Sequence, residues 1–139
     1  MRVVFADTLY WLAIARPQDQ WKTPALEAKR KLGDVIIVTT DEVLSEFATA
    51  LRIGTELRET AVRIIRAIIN NPNVKVVPQT RDGFLKGLER YENRPDKDYS
   101  LTDCISMNVL ESEGIRQVLT NDRHFDQEGF TVLISKANS

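Results

Sequence analysis

Two kinds of apolar spacing alternate along the chain. Short continuous runs occur at 2–6 (RVVFA), 34–39 (DVIIVT) and 74–77 (VKVV), with RQVLT at 116–120 and FTVLI at 130–134 completing the set. Continuous rather than alternating apolar character predicts strands buried on both faces, as in a parallel sheet. The segments between them carry apolar residues at helical intervals. Helices are predicted from Thr8 to about Ala15 and from about Thr23 to Leu32, with Pro17 separating them. TTDEVLSEFATALRI opens with Thr39 and Glu42 in capping-box spacing, then places Val43, Leu44, Phe47, Ala48 and Leu51 at helical intervals. A further helix is expected from about Thr55 to Asn70, stopped by Asn71 and Pro72. Two more are expected over residues 80–93 and from the cap Ser100 to Gly114. NRPDKDYS, at 93–100, reads as a surface connection.

Strands alternating with helices predict an α/β protein on a mostly parallel sheet of about five strands. With 139 residues, the chain is expected to form one domain spanning 1–139. Open parallel sheets bind ligands beyond the carboxyl ends of their strands. Asp7 stands at that end of the first run, flanked on both sides by chain that favours burial. A carboxylate so placed costs roughly several kcal/mol unless something pairs with it. Three more acids map to the same edge. Glu46 falls in the first two turns of the helix leaving the second strand, and Asp103 in the first turn of the helix before the fourth. Asp122 follows the fourth strand directly, in LTNDRHF.

Each acid has a structural use of its own. Asp7 suits a helix cap, Glu46 a solvated helix face, Asp103 a capping box with Ser100, and Asp122 a turn. Their coincidence on one edge favours a joint role. Four converging carboxylates repel one another unless a cation joins them. With one cysteine, Cys104, and one histidine, His124, a zinc site of the usual nitrogen and sulfur type cannot be built from this chain. The fitting cation is a hard one held by oxygen, Mg²⁺ or Mn²⁺. Such an ion makes water more acidic and screens an incoming phosphate, and a pair of ions clamps both oxygens of a phosphodiester displacement.

Charge and targeting bound the rest. Nineteen basic and twenty acidic residues give a net charge of −1, which argues against coating nucleic acid by bulk charge but leaves room for a local basic surface. Arg52, Arg58, Arg63 and Arg66 either contact substrate phosphates or form a solvated helix face. The lone cysteine fits a reducing cytoplasm, MRVVFAD lacks a secretory leader, and no apolar run is long enough to span a membrane. Cys104 is expected in the core, and Trp11 and Trp21 in packing or dimer contacts.

Taken together, FADTLYWLA, EVLSEFATAL, DKDYSLTDCISMNVLESEGI and QVLTNDRHFDQEGF, in that order, resemble the four motifs of the PIN-domain ribonucleases. The resemblance is greatest to the VapC-like toxins of toxin–antitoxin pairs and covers nearly the whole chain. It implies a three-layer α/β/α sandwich and a Mg²⁺- or Mn²⁺-dependent endoribonuclease. It also implies a homodimer and an antitoxin that blocks the cleft. Asp7, Asp103 and Asp122 then hold the metal, directly or through water, and Glu46 is a ligand or orients the attacking water. In-line hydrolysis leaves a 5′-phosphate and a 3′-hydroxyl. Accessory roles fall to Asp98, just upstream of the third motif, to Thr8, and to Thr120 and Asn121, which can orient Asp122. His124 is read as an RNA contact or a loop hydrogen bond, because the metal chemistry does not need it as a base.

Competing readings fare worse on the residues. A haloacid-dehalogenase-type phosphatase needs a second Asp where Leu9 stands. A receiver domain needs an acid after the third strand, and VKVVPQT has none. A noncatalytic PIN-like module that binds RNA or protein stays open, as does a housekeeping RNA-processing nuclease. Self-repelling carboxylates disfavour the former.

Overall fold

The structure, a computed structural model, describes residues 1–136. The last three positions of the expected 1–139 domain lie outside the described residues. The strands are β1 (Arg2–Ala6), β2 (Val35–Thr40), β3 (Val74–Val77), β4 (Gln117–Leu119) and β5 (Thr131–Val132). Between them run α1 (Thr8–Ala15), α2 (Lys22–Leu32), α3 (Asp41–Ala50), α4 (Thr55–Asn70), α5 (Arg81–Glu92), α6 (Leu101–Glu113) and α7 (Arg123–Gln127). Because at least one helix intervenes between successive strands, every pairing can be parallel, and all four are. The result is the three-layer α/β/α arrangement that the strand–helix alternation predicts.

The strand order is β3–β2–β1–β4–β5. The chain steps outward from β1 to β3, then returns to the other side of β1 to lay down β4 and β5. The order therefore reverses between β1 and β4, which opens a crevice at their carboxyl ends. The central strands supply the core: Val4, Phe5, Ala6, Val38, Val118 and Leu119 are buried, with Phe47, Met107, Leu110 and Phe125 from the helices against them. At the β3 edge Lys75 faces solvent, a charge that blunts an open sheet edge.

Two local expectations need correction. Thr39 is not the cap of α3. It pairs with Val76 inside the sheet, and its hydroxyl donates to the Ala6 carbonyl at 2.9 Å while accepting from Trp11 Nε1 at 3.2 Å. The cap is Thr40, whose Oγ1 accepts the Val43 N–H at 3.0 Å. Sheet pairing carries the strand one residue further than helical spacing suggests. The NDRHF segment is not a turn: Asp122 caps the short helix α7, accepting the His124 N–H at 2.9 Å.

Other signals hold. Ser100 and Asp103 form a complete capping box, and Gly114 ends α6 in the left-handed conformation at φ 68°. α5 packs closely on α6 at Gly87, where a Cβ would stand 2.4 Å from Ile105 Cγ1. Cys104 and Trp11 are buried, as expected of packing residues. Among the described residues, no helix is long and apolar enough to cross a membrane.

Candidate functional site

The register of β1 with β4 pairs Phe5 with Val118 and Ala6 with Leu119. The next step brings Asp7 beside Thr120, and the ladder continues with Asp7 N–H donating to the Leu119 carbonyl at 3.3 Å. Thr120 Oγ1 donates to Asp7 Oδ2 at 3.1 Å and accepts the Asp122 N–H at 3.1 Å. One hydroxyl therefore joins the ends of the two strands. Asp7 occupies the cap position of α1, yet its carboxylate makes no capping bond. It is buried and directed to the crevice instead.

The other acids arrive from helices. α3 presents Glu46, whose Oε1 accepts from Thr8 Oγ1 at 2.5 Å. α6 begins at the crevice, so Asp103 in its first turn is buried there, with Oδ2 accepting the Ser100 N–H at 3.1 Å. The capping box and the site use the same carboxylate. α7 brings His124, whose Nδ1 lies 3.3 Å from Asp103 Oδ2 and 3.2 Å from Asp122 Oδ1. Asp103, Asp122 and His124 each offer a ligand atom within 4.8 Å of the others.

Further contacts hold that imidazole in place. The Tyr99 ring meets the His124 ring edge-on, centroids 5.3 Å apart at 65°. The Tyr99 hydroxyl donates to Glu128 Oε2 at 2.8 Å. Glu128 also takes Arg90 Nη1 at 2.8 Å and Arg94 Nη2 at 3.3 Å, and Arg90 in turn pairs with Glu111.

The electrostatics follow from crowding. Burial raises the Asp7 carboxyl to about 7, reinforced by the charges of Asp103 and Glu46 and opposed by the Thr8 N–H and the Thr120 hydroxyl. Burial likewise raises Asp103, with Asp122 adding to it, while the Ser100 N–H and His124 work against it. Burial is the largest influence on both carboxyls, and a neighbouring acid raises each further. Buried carboxylates that repel one another suit a divalent cation. The donor set fits Mg²⁺ or Mn²⁺.

The crevice has a volume of about 640 Å³ and is lined by Asp7, Thr8, Glu46, Asp98, Asp103 and Asp122, among others. All four main acids and two of the accessory residues, Thr8 and Asp98, thus face one space, with Thr120 bonded to its floor. Asn121 does not join them: its Nδ2 donates to the Ile134 carbonyl at 3.1 Å, tying the loop to the chain beyond β5. Trp21 and Arg16 also line the crevice. Arg58, Arg63 and Arg66 instead border a separate groove along α4 and are exposed, as is Arg52. The residue that sequence reasoning set aside is His124. Its proximity to Asp122 was visible in the spacing, but its contact with Asp103, 21 positions away, needs the fold.

The sequence model of the PIN domain matches residues 4–130. No curated protein matches the chain. Among solved structures, VapC20 of Mycobacterium tuberculosis, a sarcin–ricin loop cleaving toxin, superposes with a TM-score of 0.84 at 23% identity, covering 95% of this chain and 99% of that one. FitAcB from Neisseria gonorrhoeae superposes with a TM-score of 0.63 at 12% identity, covering 95% and 96%.

Proposed function

Since this chain belongs to the PIN-domain family, we propose that it is a Mg²⁺- or Mn²⁺-dependent endoribonuclease and the toxin of a toxin–antitoxin pair. The observation that carries the reading is the convergence of Asp7, Glu46, Asp103 and Asp122 on one crevice at the point where strand order reverses. A bound divalent ion supplies a more acidic water and neutralises charge developing on the phosphodiester.

The chain's own residues do the rest. Asp7, Asp103 and Asp122 hold the ion, with Thr120 fixing the first and last of these relative to each other. Glu46, held by Thr8, orients the attacking water and takes its proton. Asp98, exposed at the rim, is an accessory acid. Displacement in line leaves a 5′-phosphate and a 3′-hydroxyl.

The substrate is a structured RNA, a reading supported by the likeness to a toxin that cleaves the sarcin–ricin loop. The partners are an antitoxin and a second copy of the chain. Exposed apolar residues on α5 (Phe84, Leu85, Leu88 and Tyr91) support such interfaces. The cytoplasm is the expected compartment.

The test is incubation of purified protein with structured RNAs and matched DNA, in Mg²⁺, Mn²⁺ or EDTA, beside Asp103→Asn. RNA cleavage is expected in either metal and not in EDTA, with the variant slower by about a hundredfold or more. Equal cleavage in EDTA, or full activity of the variant, overturns the reading.

A further inference from the structure

The expected metal site of this fold is all-oxygen, yet the chain's only histidine points its ring into that site. Two donors in adjacent positions on an octahedral ion, bonded at about 2.1 Å, stand about 3.0 Å apart. The distances from His124 Nδ1 to Asp103 Oδ2 and Asp122 Oδ1 are 3.3 and 3.2 Å. The two edges that meet at His124 Nδ1 are therefore close to the spacing of neighbouring ligands, and all three residues offer a ligand atom within 4.8 Å of the others. The imidazole is also held in place. Its backbone N–H is anchored on Asp122 Oδ1 at 2.9 Å, and Tyr99 packs edge-on against its ring. Tyr99 is fixed in turn by Glu128, itself clamped by Arg90 and Arg94.

We infer that His124 Nδ1 is a ligand of the cation held by Asp103 and Asp122. A nitrogen donor disfavours Mg²⁺, which prefers oxygen and water, and favours a transition ion. The inference rests on the metal-dependent reading above and sharpens it: Mn²⁺ is the better fit of the two ions. Tyr99 and Glu128 are positioning residues for this ligand.

The uniqueness of His124 makes a direct test possible without a substitution. Tag-free protein is loaded with Mn²⁺ and examined by pulsed electron paramagnetic resonance, once unlabelled and once with ¹⁵N-histidine. The expected result is a nitrogen modulation on the Mn²⁺ signal that shifts on labelling. Alongside, His124→Ala is titrated with Mn²⁺ and Mg²⁺ by calorimetry, with circular dichroism to check its fold. Mn²⁺ affinity is expected to fall by about tenfold or more, and Mg²⁺ affinity by less. Bound Mn²⁺ without a histidine nitrogen overturns the inference and leaves the nuclease reading intact. A histidine nitrogen on Mn²⁺ with no RNA cleavage overturns the nuclease reading alone. Absence of Mn²⁺ binding overturns the inference and the metal-dependent reading together.

Discussion

Thr120 and Asp7 are 113 positions apart in the chain, and the hydroxyl of one donates to the carboxylate of the other at 3.1 Å. The same oxygen accepts the Asp122 N–H, so a single side chain sets the spacing of two acids from different strands.

Replacing Thr120 by valine keeps the shape and removes both bonds. The partly buried Asp122 N–H loses an acceptor, and Asp7 loses a donor that lowers its pKa. The expected cost is about 1–3 kcal/mol in urea denaturation. The Asp7 carboxyl should titrate above its wild-type value of about 7, as read from its side-chain carbon resonance. An unchanged titration would show that the hydroxyl does not act on the acid.

Asp7 itself makes the metal-free protein sensitive to pH. Its pKa is raised from 3.8 to about 7 on folding, so the folded state binds this proton more tightly than the unfolded chain does. Stability from this group is full below 3.8, falls as pH rises through the window to about 7, and is level above it. Asp7→Asn removes the ionisation. In EDTA the variant should gain about 4 kcal/mol over wild type at pH 8, and the gain should nearly vanish at pH 4. Chemical denaturation at the two pH values decides this, and a gain independent of pH refutes it.

Glu128 works in the opposite sense. Burial pushes its carboxyl up, but the Arg94 and Tyr99 donors and the charges of Arg94 and Arg90 outweigh that and hold it below its usual 4.5. Its stabilisation is present above 4.5 and is lost as pH falls through the lower folded value. Glu128→Gln should cost about 2 kcal/mol at neutral pH, since it leaves the largely buried Arg90 with less compensation. The difference should shrink in acid. Thermal melts at pH 7 and pH 3 measure both arms.

Gly87 is expected to resist a change that helix propensity favours. In Gly87→Ala the new methyl meets Ile105 Cγ1 at 2.4 Å, an atom near the backbone with little freedom to yield. The strain should exceed the propensity gain and destabilise the protein by about 1–2 kcal/mol. Pairing it with Ile105→Ala should be less harmful than the two changes summed. Simple additivity in a double-mutant cycle would count against this contact.

Local signals in the chain are enough for the architecture. RVVFA and DVIIVT read as buried parallel strands because both faces are covered, and they are the two central pairs of the sheet with β4. The acids were legible for a related reason. Asp7 breaks an apolar pattern at a strand end, the kind of interruption that burial alone does not tolerate. What stayed hidden depends on distant pairing. Thr39 resembles a cap until the sheet register claims it, and Asp122 resembles a turn residue until α7 forms after it. His124, Tyr99 and Glu128 look unrelated in sequence, because each finds its partner across the fold.

The strand order has a further consequence, for when the site comes into being. β1 is made first, but one of its two flanking partners, β4, lies more than a hundred residues later. Until residues 117–119 dock beside Phe5 and Ala6, Asp7 has no Thr120, and Asp122 and His124 have no fixed place. Such a long-range pairing forms late, after the local helices. A chain cut before β4 therefore carries Asp7, Glu46 and Asp103 without Asp122 and without the Thr120 hydroxyl that ties Asp7 to it. The crossover that creates the crevice is also a timer: the four acids share one space only after β4 has docked beside β1.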